Sequence, residues 1–327
     1  MFSVIFRCDA GIVKRIGTGH LFRSMTIANL LIKKFNIPRN KIIFITKTSK
    51  NFSLAKKILI QNKFRFLSLN KDSNNHDEYL LLKKMKSSLL IIDKYRTKNT
   101  KYLNKIKSNF KKIIILDAIK HEHNDILYIN SLLLNVNKTK FKNVGFKYLI
   151  CPSFLDEKKK NIKKEIKKIF LFFGGFDNKN IMNKVIRYFD INKSNYTLFL
   201  PISFKKKFNK KNKIKFFNNK NIYKILSSCD LAITAGGLIM FDVINLKKPL
   251  ITIPQYTHQK ENINRLIKKK CLLNINFNKN LFKNLSRYLS LLNNFNLRIN
   301  MIKNQSKILS GNKTPKAIEL IYNEYRK

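Results

Sequence analysis

The strongest constraint on this chain is a repeated sequence unit: a short apolar run, a turn, then an amphipathic helical pattern. The runs at 2–7, 41–46, 89–93 and 112–116 are brief and nearly continuous in apolar residues. Such runs read as strands buried on both faces, the habit of parallel sheets. Helical periodicity fills 20–35, 53–62, 79–86 and 100–107, and 126–129 adds a further apolar run. Alternation of this kind predicts a parallel sheet with helices on both faces. The pattern stops at a charged run, DEKKKNIKKEIKK at 156–168, and then restarts. Strands are expected at 169–173, 196–200, 231–234 and 250–253. Helices are expected at 181–188, 222–228, 238–246, 260–269, 280–291, 297–306 and 315–325. The expected fold class is α/β, with two Rossmann-like lobes, 1–155 and 169–327, joined by a linker at 156–168. Parallel sheets from the two lobes are expected to face a central cleft. The last helix is expected to pack back on the N-terminal lobe.

Composition bounds the function classes. A length of 327 residues suits two cores, and a hydrophobic content of 44% argues against disorder. Lys and Arg number 68 against 18 Asp and Glu, a formal net charge of +50. Such charge attracts polyanions and anionic membrane surfaces without choosing a fold. Crowded Lys, Asn, Ile and Phe also fit compositional drift, which leaves the shortage of acidic residues unexplained. The cysteines, Cys8, Cys151, Cys229 and Cys271, form no C-x-x-C. That spacing argues against a zinc site or redox pair and fits a reduced, cytoplasmic protein. The N-terminal apolar run is broken by Arg7 and Asp9, so it reads as a strand and not a signal peptide. No stretch reaches the roughly 18 apolar residues of a membrane span. Peripheral contact with the inner face of an anionic membrane is the remaining membrane option.

Glycine marks the turns that could carry chemistry. The first runs Arg7-Cys8-Asp9-Ala10-Gly11 and on to Ile16-Gly17-Thr18-Gly19-His20-Leu21-Phe22-Arg23. Gly17 and Gly19 let a ligand approach the backbone, and the N–H groups of a helix start favour an anion. His20 falls in the first helical turn and is the candidate general base. Arg7, Asp9 and Arg23 lie near the same turn as candidate substrate contacts. The second turn is Phe172-Phe173-Gly174-Gly175-Phe176-Asp177-Asn178. Gly174 and Gly175 are candidate ligand contacts there, with Asp177 or Asn178 as the helix cap. The third, Thr234-Ala235-Gly236-Gly237-Leu238-Ile239-Met240-Phe241-Asp242, has a phosphate-cradle pattern at Gly236, Gly237 and Leu238. Asp242 is spaced to accept hydrogen bonds from ribose hydroxyls. Gln259 and Asn262 share a helix face, and side-chain amides suit sugar hydroxyls and acetamido groups.

Other clusters are weaker. His121-Glu122-His123 with Asp125 holds metal-ligand residue types but no element to fix them. No metal and no cofactor are expected. The Lys- and Phe-rich stretch at 204–217 has the composition of a nucleic-acid surface. No nucleic-acid module accompanies it, so no specific nucleic acid is expected.

The segments RCDAG, IGTGHLFR, LLIIDKYR, IIILDA, GFKYLICPSFL, FLFFGGFDNKN, ITAGGLIMFDVINLKKPLITIP and HQKEN occur in that order along most of the chain. Together they resemble the UDP-sugar hydrolase family of pseudaminic acid biosynthesis, which releases UDP from a UDP-linked diacetamido-trideoxy-altrose. That family is similar in turn to the peptidoglycan N-acetylglucosaminyltransferase. The resemblance implies a GT-B fold, a UDP-sugar substrate and a water activated by His20. It also implies that Tyr95, in Asp93-Lys94-Tyr95, lies near the sugar, that Gly236 and Gly237 form the diphosphate loop, and that Gln259 and Asn262 form the Q-x-x-N pair on sugar and phosphates.

The chain departs from the family at specific positions. Asp242 stands where Glu usually meets the ribose, Asp117-Ala118 keeps one of two paired aspartates, and His258 replaces a usual Asp or Asn. These departures bear on the substrate more than on the fold. Hydrolysis is the first reading. A glycosyltransferase of the same fold, with His20 activating an acceptor hydroxyl, is the second. A nucleic-acid-binding protein, resting on charge alone, is a distant third. The sequence leaves the identity of the sugar and the oligomeric state open.

Overall fold

The structure, a computed structural model, describes residues 3–11, 17–69, 75–94, 101–118, 123–132, 141–155, 162–175, 177, 179–207, 213–218, 221–308 and 315–327. Its elements begin with β1 (Val4–Cys8), α1 (Gly19–Phe35), β2 (Ile42–Lys47), α2 (Ser53–Gln61), β3 (Arg65–Leu69), α3 (Asn75–Lys83), β4 (Ser87–Asp93), β5 (Phe110–Leu116), β6 (Leu127–Asn130) and β7 (Asn143–Val144). They continue with β8 (Lys168–Phe172), α4 (Ile181–Ile191), β9 (Thr197–Pro201), β10 (Ile214–Phe217), α5 (Ile222–Ser228), β11 (Leu231–Thr234), α6 (Leu238–Asn245), β12 (Leu250–Thr252) and α7 (Thr257–Lys268). The last elements are β13 (Leu273–Asn274), α8 (Leu281–Asn293), α9 (Phe295–Ile308) and α10 (Lys316–Arg326). The chain divides into two compact units, one of Met1–Pro152 with Asn312–Lys327, the other of Ser153–Gly311. Within the expected linker, residues 156–161 lie outside the described residues, and the remainder runs into β8.

The first unit carries a parallel sheet in the order β3-β2-β1-β4-β5-β6-β7. Central β1 is buried along its whole length, as a strand covered on both faces must be. Alternation along the strand sends Val4, Phe6 and Cys8, with Leu89 and Ile91 of β4, into a core shared with α1, α2 and α10. Ile5, with Leu90 and Ile92, enters the opposite core, where Leu82 of α3 and Leu103 pack. Continued by one residue each, the same alternation puts Asp93 on the α1 face and Lys94 on the α3 face. Leu21, Met25, Ala28 and Leu31 form the buried stripe of α1. That helix ends at Asn36, in the left-handed region (φ 55), whose N–H is bonded to the Leu31 carbonyl. The Tyr322 ring of α10 stacks on Phe35, the last residue of α1, with centroids 3.7 Å apart.

In the second unit the order is β10-β9-β8-β11-β12-β13, again parallel throughout. Ile169, Leu171, Ile233 and Ile251 form its core with Val185 of α4 and Leu285 of α8. Both units repeat the doubly wound strand order, so each has a topological switch point. These lie between β1 and β4, and between β8 and β11. Ligands of such sheets bind outside the carboxyl ends of the strands at that point.

The differences from expectation are concentrated at sheet edges. Strands β3, β7, β10 and β13 are unanticipated by the sequence pattern, and they are the four edge strands. An edge strand is paired on one side only and needs no continuous apolar run. Arg65 and Ser68 of β3 are accordingly exposed. The helix expected at 100–107 is a pair of short 3₁₀ turns, Lys101–Lys105 and Lys107–Asn109. Among the described residues no helix is long and apolar enough to cross a membrane.

Candidate active site

At the first switch point, Cys8 of β1 pairs with Asp93 of β4. His20 is the second residue of α1, and its Nδ1 lies 2.7 Å from Asp93 Oδ1. Arg23, one turn further along the helix, donates from Nε to Asp93 Oδ2 at 2.8 Å and from its second terminal nitrogen to Oδ1 at 2.5 Å. Its other terminal nitrogen bonds Asp117 Oδ2. Ser24 Oγ adds a longer bond to Asp93 at 3.3 Å. Burial opposes ionisation of Asp93, but the charge of Arg23 and the hydrogen bonds from Arg23 and His20 outweigh it. The carboxyl is held far below the ordinary carboxylate range. An ionised Asp93 accepts from Nδ1–H and leaves Nε2 as the imidazole nitrogen able to take a proton. His20 retains some solvent access, whereas Asp93 has none. No side chain caps the start of α1.

Asp117 follows β5 in the left-handed region (φ 50), a conformation that aspartate tolerates better than most residues. Its Oδ1 accepts from the Leu132 N–H at 3.0 Å and from Ser131 Oγ at 3.3 Å. Arg23 is thus saturated by two carboxylates and 2% exposed. Its two bonds to Asp93 hold that carboxylate in place.

Arg7 and Asp9, also expected at substrate, are engaged with each other. The Arg7 guanidinium is bidentate to Asp9, at 2.6 and 2.9 Å, and its Nε donates to Glu78 of α3 at 2.8 Å. Glu78 is buried and also accepts from Lys94 Nζ at 2.9 Å and Tyr102 Oη at 2.5 Å. Burial opposes its ionisation, yet Arg7, Lys94 and the Tyr102 hydroxyl bring its pKa down to about 2. For a carboxylate depressed on folding, the stabilisation is complete above the unfolded-state pKa, near 4, and is lost as pH falls towards the folded value. The thermal midpoint is therefore expected to hold near neutrality and drop steeply below about pH 4. Calorimetry across pH 7 to 2 checks this. A midpoint insensitive to acid in that range would contradict the ion-pair assignment.

In the second unit the glycine turns flank the β8/β11 switch point. Gly174, two residues past the end of β8, has φ +93, a conformation that only glycine adopts without strain. The Asp177 carboxylate accepts from Ile181 N at 3.0 Å and Met182 N at 2.7 Å, so it serves the start of α4. The cap position itself is Asn180. Gly237 caps α6 with no side-chain bond, and a Cβ there would meet nothing closer than Gln259 Nε2 at 3.9 Å. Packing does not demand glycine at 237, and its absent side chain leaves the helix start open to an anion.

Gly236 is a different case. A Cβ there would lie 2.5 Å from Ile263 Cδ1 and 3.0 Å from Gln259 Cβ. Its glycine lets α7 approach. Gly236→Ala is expected to cost roughly 1–3 kcal/mol by overpacking, read by denaturant unfolding, and no loss would remove this reading. Gln259 Oε1 accepts from Gln255 N at 2.8 Å, and Gln255 Nε2 donates to the Phe173 carbonyl at 2.5 Å. The turns after β8 and β12 are therefore tied together, and Gln259 is held beside Gly237. Asn262, one turn along α7, is 7% exposed. Asp242 is 1% exposed, and its Oδ1 accepts from the Ser153 N–H at 2.8 Å. Asn245 Nδ2 donates to Ser153 Oγ at 3.0 Å on the same helix. The carboxylate expected at a ribose thus anchors the start of its own unit.

The structure brings His20 and Arg23 together, pairs Arg7 with Asp9, and gathers Gly174, Gly236, Gly237, Leu238 and Gln259 at the second switch point. Gly175 follows Gly174 in the same turn. Gly17 and Gly19 lead into α1. Tyr95, Phe176, Asn178, His121 and Glu122 lie outside the described residues. Asp125 pairs with Lys107 at 3.0 Å on the surface. Sequence reasoning missed Asp93 as the partner of His20, and Glu78 altogether. The strand-end position of Asp93 was a usable signal, whereas α3 carries no motif.

Among solved structures, the chain is similar to MurG of Acinetobacter baumannii, with TM-score 0.67 and 11% identity, over 99% of this chain and 100% of that one. It is similar to Arabidopsis thaliana UGT89C1 complexed with UDP-L-rhamnose, with TM-score 0.63 and 12% identity, over 99% of each. The calicheamicin glycosyltransferase CalG4 follows, with TM-score 0.64 and 10% identity, over 99% of this chain and 98% of that one. At these identities the likeness establishes the fold, GT-B. An uncharacterized protein of Methanocaldococcus jannaschii is 31% identical over 284 residues. That match takes in 78% of this chain but spans little more than half, 56%, of the relative. Residues 155–321 match the glycosyltransferase family 28 C-terminal domain, and the chain belongs to that family.

Proposed function

We propose that the chain hydrolyses a UDP-linked diacetamido-deoxy sugar, with His20 as the general base. The observation that carries the reading is the 2.7 Å contact between His20 Nδ1 and the buried Asp93 at the first switch point. It holds the imidazole in the tautomer that can take a proton on Nε2. In the proposed step the water oxygen bonds to the anomeric carbon as its bond to the phosphate oxygen breaks. The water proton goes to His20 Nε2, and UDP leaves with the bonding electron pair. The Gly236-Gly237 turn and the start of α6 supply N–H donors for the departing diphosphate, with Gln259 and Asn262 on the sugar and phosphates. The motif order along most of the chain supports hydrolysis over other chemistries of the fold. Peripheral contact with an anionic membrane belongs to the same reading and rests on the +50 charge.

Transfer to an acceptor hydroxyl is the second reading, favoured by the family match over 155–321. One experiment separates the two. The chain is incubated with a panel of UDP-sugars, without acceptor, and released UDP is measured. Stoichiometric release without acceptor is expected. Release only after adding an acceptor would replace hydrolysis with transfer, and no release under either condition would remove both.

A further inference from the structure

The geometry points to Glu78 as a positioning residue that holds Asp93, and through it His20, from the opposite face of the sheet. Two polar clusters meet at the end of β4. On the α1 face, Asp93 binds His20 and Arg23. On the α3 face, Lys94 binds Glu78, at 2.9 and 3.0 Å to its two oxygens. The clusters meet at the peptide link between Asp93 and Lys94 and again through β1, where Cys8, between Arg7 and Asp9, pairs with Asp93.

Glu78 gathers the strands on both sides of the switch point. Arg7 Nε from β1 reaches it at 2.8 Å, and Lys94 reaches it just beyond β4. Arg7 also grips Asp9, which accepts from the Lys47 N–H at the end of β2 at 3.0 Å. One buried carboxylate therefore fixes the relative position of strand ends that otherwise carry two cations close together. With Glu78 neutral, Arg7 and Lys94 would face each other with Asp9 as their only anion among these groups. Lys94 would be pushed outward, and Asp93 would turn with it, because the two are consecutive on one backbone. Misplacement of about 1 Å at a reacting group costs on the order of 10²-fold in rate. Tyr102, bonded to Glu78 at 2.5 Å, supports the same carboxylate from the 3₁₀ turn.

This inference rests on the reading of His20 as the base, and its test is built to stand apart from it. In chain labelled with ¹⁵N-histidine, the His20 Nδ1–H proton resonance is assigned by its loss in His20→Gln. It is then compared in wild type, Glu78→Gln and Tyr102→Phe. In Glu78→Gln the resonance is expected to move or broaden, with a smaller change of the same kind in Tyr102→Phe. With the UDP-sugar that wild type turns over, kcat per nucleotide-binding site is expected to fall at least about tenfold in Glu78→Gln, with KM little changed. A merely structural carboxylate would lower the fraction of folded chain and leave the resonance of the folded fraction in place. An unmoved resonance in folded Glu78→Gln overturns the inference. Where Glu78→Gln fails to fold, Tyr102→Phe decides, and an unmoved resonance there overturns it equally. The resonance needs no substrate, so a displaced signal alongside a negative UDP-sugar panel would sink the proposed function and leave the positioning role intact.

Discussion

His20→Ala is expected to slow nucleotide release by about 10²–10⁴-fold, the range that general-base help supplies. The loss should fall on kcat. UDP affinity should be retained, because the donors proposed for the diphosphate belong to the other unit. Stability should change little. The imidazole is partly exposed at a helix start, and Asp93 keeps both bonds from Arg23 when the ring is gone. His20→Gln sharpens the test, since an amide can still donate towards Asp93 but cannot accept a proton at neutral pH. Single-turnover kinetics and calorimetric titration with UDP read the two quantities. Near-normal turnover in either variant would remove His20 as the base.

Asp93→Asn is expected to lose on both activity and stability. On activity, the amide no longer holds the proton on Nδ1, so the productive tautomer is not selected. A loss of about 10²–10⁴-fold is expected from this alone. On stability, the buried Arg23 is left with Asp117 as its remaining carboxylate. Removing one partner of a buried ion pair costs roughly 3–5 kcal/mol. At about 2–4 °C per kcal/mol, that lowers the unfolding temperature on the order of 10 °C. The fall should appear in the transition of the first unit, since Asp93, Arg23 and Asp117 all lie there. Calorimetry with far-UV circular dichroism separates the two losses. A folded Asp93→Asn chain with unaltered turnover would show that the His20–Asp93 contact has no part in the chemistry.

The interior strands were readable because burial on both faces demands continuous apolar runs. Strand β11 at Leu231–Thr234 and helix α5 at Ile222–Ser228 match their expected bounds. Edge strands were not readable for the converse reason. β3 and β10 are specified by the neighbour they pair with, and β7 and β13 are only two residues long. The glycine turns were also legible, yet their roles divide. Gly174 is required by its backbone conformation and Gly236 by the approach of α7, while Gly237 is required by neither and leaves a helix start open.

Local pattern thus accounts for the alternation of strands and helices in both units and the place of His20 at a helix start. Each follows from periodicity and turn chemistry within about twenty residues. The pairing of charges does not. Asp93 lies 73 residues from His20, and Glu78 lies 71 from Arg7. Coulomb attraction between buried groups depends on which strand ends are neighbours, and that is set by sheet order. Arg7, Asp9, Arg23 and Asp242 had the chemistry to bind a ligand, and folding supplied each with an internal partner. For His20 the same rule worked in favour of function, because the partner it acquired on folding is the one that orients it.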